Sequence, residues 1–435
     1  MIITHYLYQS YMKTLVLFLI ISLTVASCNK LGSLKSFVPA ELKQRRAGLY
    51  AEDFAVQLKK YNDATSKIKA NPNEVKSYCA LAKVFMYEAK VTGEHPYYYP
   101  AAMACLEEAI SKDKQNPEAL ILKTSVLLSL HHFGEAKELA VQISSLSIAA
   151  SAVYGMLCDA NVELGNYDEA VQDVDKMMSL RPGLEAYARA SYLREITGDN
   201  EGAVEAMKMA VQAGLPGTED AAWTRVTLGN LYYHQGKISE AEGQYLIARL
   251  ERKNYPFAIA GLANVYKSQK RYDEAALLLD TALMMIPEVA FLERKTEIEQ
   301  ERGNKKAVDS LLTIIQTMMD EDEQAGHINH AERAILYSKN NFKNDEALKH
   351  AEIEIKQRPN NITTQYAMAY SLYRSNRQAE AKEYINRALR MNSKDAEMLT
   401  LAASIEEAIG NTPEAVKYMA LAKIANPVFM PIILN

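Results

Sequence analysis

Two pairs of histidines are the side chains best suited to hold a metal ion, and neither pair is complete. His131 and His132 are adjacent, whereas His327 and His330 have the spacing that places two imidazole rings on one helix face. No cysteine or carboxylate completes the ligand set that a zinc ion needs. The chain also lacks a glycine-rich phosphate loop, a Gly-x-Ser-x-Gly elbow and a His-Glu-x-x-His helix motif. We therefore expect no catalytic residue, no metal site and no cofactor.

A cysteine near the N-terminus carries a different chemistry. An apolar run, residues 15–25, is followed by Ala26, Ser27 and Cys28. The run is too short to span a bilayer comfortably, because a transmembrane helix needs about 20 apolar residues, but it suits a secretory signal. Small residues before a cysteine resemble the bacterial lipoprotein processing site. That resemblance implies cleavage after Ser27 and acylation of Cys28. The alternatives are an anchor helix or an uncleaved signal in which the cysteine is incidental.

The same resemblance implies where the protein resides. A lipoprotein would be anchored in the bacterial cell envelope, and Asn29 after the cysteine favours the outer membrane over the inner one. The chain would then face the periplasm or the cell surface. Five basic residues follow the cysteine and indicate either a tether near anionic lipid head groups or an ordinary solvated linker: Lys30, Lys35, Lys43, Arg45 and Arg46.

Alanines recur along most of the chain at a nearly constant interval. Ten of them are separated by 32 to 40 residues, with 34 the commonest spacing: Ala102, Ala136, Ala170, Ala203, Ala241, Ala275, Ala307, Ala347, Ala381 and Ala415. Several follow a turn, as in the segment 165–170, and a second small residue often lies seven positions later, as at Ala248 and Ala282. A repeat of this length is typical of a solenoid whose units bury their apolar faces against neighbouring units.

Each unit has the composition of two antiparallel helices in close contact. Small residues allow the helix axes to approach, and large apolar residues fill the grooves between them. This pattern resembles the tetratricopeptide repeat. The resemblance covers about residues 74 to 427 and implies an all-α, right-handed superhelical solenoid of about ten antiparallel helix pairs. The seventh unit has a turn that is one residue short before Ala307.

The chain divides accordingly into five segments. We expect a signal peptide over 1–27, a lipid-proximal tether over 28–47, an N-terminal capping helix over 48–73, the solenoid over 74–427 and an apolar C-terminal cap over 428–435. The cap could instead mediate self-association or partner docking. Three tyrosines, residues 97–99, are expected on a loop that either folds back on the capping helix or forms a contact site.

Binding residues follow from the register of the repeats. In tetratricopeptide proteins the first helix of each unit lines a concave groove, and the resemblance places Asn230 and Asn264 at the same groove position in consecutive repeats. Their amides could each donate to and accept from an extended peptide backbone. Nearby aromatic and imidazole side chains are candidate anchors: Tyr192, Trp223, Tyr233 and His234. The alternative is that the aromatics pack between helices and the asparagines cap turns.

Composition agrees with an interaction protein. The net charge is −5, so no basic surface indicates nucleic acid. Cys79, Cys105 and Cys158 are an odd number of cysteines beyond Cys28, which argues against a disulfide framework, although Cys79 and Cys105 could pair. We expect a non-enzymatic scaffold that binds peptide or protein partners and no small-molecule substrate. The alternative is a structural accessory subunit of an envelope assembly that acts through its ends and its convex surface.

Overall fold

Helices make up nearly all of the folded chain. The computed structural model describes residues 37–46, 49–146 and 151–429, and its large compact unit begins at Glu41. In these residues there are 21 α-helices and one short 3-10 helix, and there is no strand. None of the described helices has both the length and the apolar character that crossing a membrane requires.

The helices follow one another in a single series. They are α1 (Ala51–Ala70), α2 (Val75–Thr92), α3 (His95–Lys112), α4 (Pro117–Ser129), α5 (Phe133–Ser145), α6 (Ser151–Leu164), α7 (Tyr167–Leu180), α8 (Leu184–Ile196), α9 (Asn200–Ala213), α10 (Glu219–His234), α11 (Ile238–Glu251), α12 (Pro256–Ser268), α13 (Tyr272–Met285), α14 (Val289–Glu301), α15 (Lys305–Gln324), α16 (His330–Lys339), α17 (Asn344–Gln357), α18 (Ile362–Arg374), α19 (Gln378–Ala388), α20 (Ala396–Ala408) and α21 (Thr412–Ala425).

Ten antiparallel pairs follow α1, from α2 with α3 to α20 with α21, and this confirms the expected solenoid. Most helices pack against the next one, and the first helix of most pairs also contacts the first helix of the next pair. We call the first helices, α2 to α20 with even numbers, the inner helices, and their partners the outer helices. Several helices begin with a side chain that accepts a backbone N–H, as at Asn116, Thr218 and Asn361, which satisfies a donor that the helix itself leaves open.

The recurring alanines explain why the pairs pack closely. All ten lie on outer helices, and nine of them are buried against the neighbouring inner helix. Ala307 is the exception, because the shorter turn before it shifts the register and Val308 is buried instead. A methyl group at this position brings the helix backbones together without leaving a void, which close packing of the two helices requires.

One large side chain shows how tightly the units interlock. Tyr245 on α11 is fully buried, and its ring lies against Gly229 of α10 and Gly261 of α12. A Cβ atom at either glycine would come within 2.5 Å of that ring. The phenolic O–H donates to the side-chain oxygen of Asn230 over 2.8 Å. One outer-helix tyrosine therefore joins two successive inner helices.

Contacts between distant parts of the chain close the superhelix on itself. The hydrogen bonds that carry these contacts join residues 193 to 199 positions apart. Arg358 donates to the Glu163 carboxylate over 2.6 Å, and the Ile362 N–H donates to the Tyr167 hydroxyl over 2.9 Å. Since a repeat has about 34 residues, one superhelical turn takes about six repeats. We call this line of contacts between the first and second turns the seam.

The seam joins two kinds of loop. In the first repeats it is the turn between the inner and the outer helix, and in the later repeats it is the loop that leads from one repeat to the next. His131 and His132 contact the backbone carbonyls of Ile328 and Gly326, and the Ile328 N–H donates to the Leu130 carbonyl. Further along the chain, glycines with left-handed backbone angles let the loops touch. A Cβ atom at Gly165 or Gly198 would lie 2.2 or 2.3 Å from the backbone of Asn360 or Asn392.

The segment before α1 is folded from residue 41 onward, where a tether or a solvated linker was expected. Arg45 is buried and donates to both oxygens of Glu88, over 2.8 and 2.6 Å, and it also pairs with Asp53. Lys43 pairs with Glu94. These ion pairs fix residues 41–46 against α1, α2 and the turn before α3. Residues 1–36, which include the predicted signal, Cys28 and the start of the tether, lie outside the described residues.

The conformation of the tyrosine-rich segment, residues 97–99, differs from the expected one. Tyr97, Tyr98 and Tyr99 lie on the first turns of α3 rather than on a loop, so that expectation was wrong; Pro96 starts the helix, where its missing N–H costs nothing. Tyr98 is buried against Phe85, which itself contacts Tyr61 of α1, so this part of the segment does fold back on the first helix.

The three cysteines beyond Cys28 are buried free thiols, and Cys79 and Cys105 are not bridged. Burial raises the pKa of Cys79 to about 11 and that of Cys158 to about 12, so both are protonated at neutral pH. Of the predicted apolar cap, Val428 and Phe429 are described, and residues 430–435 lie outside the described part.

Replacing Gly198 by alanine tests the seam. The methyl group would meet the Asn392 carbonyl, so we expect a loss of about 1–2 kcal/mol from the left-handed angle and a further ~1–3 kcal/mol from the clash. Gly410 has the same backbone angle (φ 80° against 79°) but nothing within 4 Å, so Gly410→Ala is the matched control and should lose only the first contribution. Chemical denaturation gives the free energies. Faster amide exchange at residues 392–395 should accompany Gly198→Ala alone, and equal losses in both variants would contradict the seam.

Candidate binding lumen

The inner helices surround a cavity of about 630 Å³, which we call the lumen. Its wall runs from Tyr192 on α8 to Phe429 after α21 and takes side chains from the inner helices between them. The fourth to tenth repeats turn their first helices toward this side, and the buried small residues hold the outer helices on the other. The seam contacts of Gly198 with Asn392 and of Tyr233 with Asn426 bring the end of the wall back to its beginning.

Tyrosines supply much of the apolar surface of the lumen. Tyr192 and Tyr233 come from the fourth and fifth repeats, and Tyr366 and Tyr370 come from the ninth. Burial raises the pKa of each of them, so all four hydroxyls stay protonated at neutral pH and can donate or accept. A ring with a polar tip suits the recognition of a polypeptide, because it offers contact area and a hydrogen bond together.

Two ion pairs join inner helices of the lumen wall, one between neighbouring repeats and one across an intervening repeat. Lys267 of α12 pairs with Glu297 of α14, and Lys339 of α16 pairs with Glu397 of α20. Burial disfavours the ammonium of Lys267, but the carboxylate of Glu297 outweighs it and the net pKa is raised. The same balance raises the pKa of Lys339. Both ammonium groups therefore stay charged at neutral pH, and in each pair the carboxylate compensates the positive charge.

Glu293 and Arg294 of α14 line the lumen without such partners. Neither side chain has a hydrogen bond or an ion pair with any residue that the structure describes. Burial raises the pKa of Glu293 to about 7, although the ammonium of Lys339 acts in the opposite direction. The carboxyl group is therefore poised between its neutral and charged forms.

Four of the six predicted groove residues line the lumen. Tyr192, Tyr233, His234 and Asn264 are part of its wall. Asn230 is not part of the wall, although it lies on the same helix as Tyr233, and its side-chain oxygen is occupied by Tyr245.

Trp223 also lies outside the lumen wall. It is 43% exposed near the start of α10, at the opposite end of the helix from Tyr233 and His234. Four of the six residues selected from the repeat register therefore lie together in the lumen wall. Their part in binding stays a prediction.

The ion-paired residues of the lumen were not anticipated. Lys267 and Lys339 each lie eight positions before a repeat alanine, as does Tyr233, so the register contains a signal for them. Their carboxylate partners lie in other repeats, and a single sequence does not show which repeats face each other. Nothing in the sequence distinguishes Glu293 from other polar residues except its place on an inner helix.

The histidine pairs do not form a metal site among the described residues. His327 lies against His131 at the seam, with the ring centres 4.3 Å apart, and burial lowers the pKa of His327 to about 3. His330 instead contacts His350, with their Nδ1 atoms 2.9 Å apart. His327 and His330 therefore point to different neighbours.

Comparison with known families agrees with the repeat architecture. Residues 226–289 and 366–428 match the family model described as tetratricopeptide repeat. Those segments run from α10 to α13 and from α18 to α21, which are the fifth, sixth, ninth and tenth helix pairs. The fold is a tetratricopeptide-like solenoid. The family match supports a tetratricopeptide repeat protein, and the other six pairs share its helix arrangement.

Solved structures with a resemblance to the chain are distant. The tetratricopeptide protein TTC0263 of Thermus thermophilus has 21% identity and a TM-score of 0.36, and the match covers 39% of this chain and 91% of that one. Human IFIT1, solved as a dimer with PPP-AAAA, has 14% identity, a TM-score of 0.44 and coverage of 83% and 86%. Yeast Tom70 has 14% identity, a TM-score of 0.39 and coverage of 85% and 91%. No curated protein matches the chain.

The His234 imidazole provides a test of the electrostatics of the lumen. Desolvation in the lumen wall lowers its pKa, but the Glu195 carboxylate, 3.7 Å from Nδ1, raises it together with Asp395 and Glu397, so that the pKa lies above the usual 6.5. This raised pKa stabilises the fold below about pH 6.5, and the contribution is lost as the pH rises through the folded-state value. In Glu195→Gln we expect the His234 pKa, measured by NMR titration, to fall. An unchanged pKa would show that the carboxylate does not act on this ring.

Proposed function

We propose that this chain is a non-enzymatic protein-interaction scaffold, anchored by a lipid on Cys28 in the bacterial cell envelope, that binds a polypeptide segment of its partner in the lumen. The observation that carries the binding proposal is the lumen itself. Its wall combines tyrosine rings, the Asn264 amide and the unpartnered side chains of Glu293 and Arg294. Groups of these kinds can engage both the side chains and the backbone of a bound segment.

The lumen is built from rigid elements, which favours binding. Inner helices position the lining side chains, and the neighbouring repeats and the seam hold those helices in place. A preformed site does not have to be ordered when its partner arrives, so less of the interaction free energy is lost. We infer no catalytic role, because the solenoid accounts for the described chain beyond α1.

The lipid anchor and the envelope location rest on the sequence alone. The apolar run before Cys28 and the small residues at 26 and 27 support them, and the outer membrane is the location that Asn29 favours. More than one acyl chain on this cysteine would give stable anchoring, since each buried methylene contributes about 0.8 kcal/mol.

One observation favours the second candidate, a structural subunit that binds through its outer surface. Leu250 and Met284 occupy equivalent positions on the outer helices α11 and α13, and they are 84% and 68% exposed. Leu277 on α13 is 67% exposed as well. Apolar side chains exposed on adjacent helices can mark a protein contact surface.

Crosslinking in native membranes tests which surface is used. We expect Tyr192→Ala combined with Asn264→Ala to lose the partner captured by the unmodified chain, because both side chains line the lumen. Trp223→Ala is the matched control, since this aromatic is exposed to the same extent as Tyr192 but lies outside the lumen. Loss of the partner in Leu250→Ser with Met284→Ser, and not in the lumen variant, would establish the outer surface instead.

Metabolic labelling with palmitate tests the anchor. We expect the chain to incorporate label and to sediment with membranes, and Cys28→Ala to lose both properties because no other cysteine follows a signal-like run. Cys79→Ala serves as the control, since that thiol is buried in α2. Label that persists after Cys28→Ala would contradict acylation at this residue.

A further inference from the structure

The lumen is enclosed laterally where the seam passes it. Its wall begins at α8 and ends after α21, and the two ends meet at the contacts of Gly198 with Asn392 and of Gly236 with Pro427. The Asn426 side chain also donates to the Tyr233 carbonyl over 3.3 Å. A partner that enters while the seam is intact must therefore do so along the axis of the superhelix rather than from the side.

The size of the lumen limits what it can hold. Its volume of about 630 Å³ lies within the range of ~300–1,000 Å³ that is typical of small-ligand clefts, so a folded domain does not fit. An extended polypeptide does, because a single strand is narrow and advances about 3.3–3.6 Å for each residue. Axial entry adds a second condition, which is that the strand has a free end.

The charges of the lumen indicate which side chain that strand carries. Other carboxylates of the wall already have partners: Glu297 and Glu397 pair with lysines, Glu195 faces His234, Asp395 accepts the Met398 N–H, and Glu301 interacts with the Tyr272 hydroxyl. Glu293 is the carboxylate of the described wall that has none.

A cation at Glu293 would stabilise the charged form of this carboxyl group, which its surroundings disfavour. Burial raises the pKa of Glu293, and the Glu297 and Glu397 carboxylates act in the same direction, whereas Lys339 and Arg294 act against it, so the carboxyl group is poised between its neutral and charged forms. An ammonium or guanidinium group beside it would restore the carboxylate and form a charge-assisted hydrogen bond. Arg294 and Lys394, which have no partner among the described residues either, can donate to the backbone carbonyls of the same strand.

We infer that the lumen takes an extended polypeptide segment that has a free end and a lysine or arginine side chain, whose cation pairs with Glu293. This inference rests on the proposed function, since it specifies the partner of the same site. It predicts both a chemical preference and a mode of entry.

A randomised hexapeptide mixture with free ends tests the chemical preference. The full-length chain is immobilised in detergent, and the retained peptides are sequenced by mass spectrometry. We expect lysine and arginine to be enriched over the input and the enrichment to fall about tenfold in Glu293→Gln, which keeps the shape and removes the charge. Glu240→Gln, at an exposed carboxylate of the outer helix α11, should retain the enrichment. No basic preference, or equal preference in Glu293→Gln, would overturn the inference.

The mode of entry is tested with the best-retained peptide. The same sequence is placed between two folded domains, so that it has no free end. We expect retention with free ends and none between domains. Equal retention of the two forms would show that the strand enters from the side, which contradicts the enclosed lumen.

The two levels of the proposal can fail separately. If the peptide mixture shows no dependence on Glu293 while Tyr192→Ala with Asn264→Ala still loses the native partner, the inference is wrong and the scaffold function stands. If neither peptides nor the native partner respond to any lumen variant, both are wrong.

Discussion

Contact between successive turns is the constraint on which the rest of this molecule depends. In a solenoid each repeat normally touches only its neighbours, so that stability is a sum of local contributions. Here residues about 195 positions apart also meet, through Arg358 with Glu163 and through Ile362 with Tyr167. These contacts satisfy polar groups that the loops would otherwise present to solvent or bury without partners. They also couple the first repeats to the last, so that curvature and twist of the intervening repeats must match.

The lumen follows from that closure. Because the wall returns on itself, lining side chains face one another across a narrow space, and charged groups there are less hydrated than on an open groove. Ion pairs such as Lys267 with Glu297 and Lys339 with Glu397 persist because each partner compensates the other. Glu293 has no ion-pair partner among the described residues, and burial raises its pKa to about 7 although Lys339 and Arg294 act against this. The enclosed lumen and the state of its charged groups thus both depend on the contact between successive turns. The buried alanines make that contact possible, because they set the distance between helices.

The sequence predicted the local architecture better than the long-range one. Alanine spacing was sufficient for ten helix pairs, because a small residue at a fixed position is required wherever two helices approach closely, and the shift to Val308 followed a visible shortening of the turn. Asn230 lies outside the lumen wall, and its side-chain oxygen accepts from Tyr245, a residue of the outer helix that reaches between Gly229 and Gly261. The seam was not predictable, since it depends on small rotations between repeats that accumulate over about six units. The folding of Arg45 onto Glu88 was also missed, because a basic residue in a polar segment has the same composition as a tether residue.

A distance measurement across the seam tests the central claim most directly. Spin labels at Thr197→Cys and Lys394→Cys, both at exposed positions, would lie on opposite sides of the contact between Gly198 and Asn392. The three described native cysteines are buried, so Cys28→Ser leaves the introduced thiols as the accessible ones. The account predicts a short and narrow distance distribution by pulsed electron paramagnetic resonance in the full-length chain. A long or broad distribution would show that the turns are apart in solution, and it would contradict the enclosed lumen.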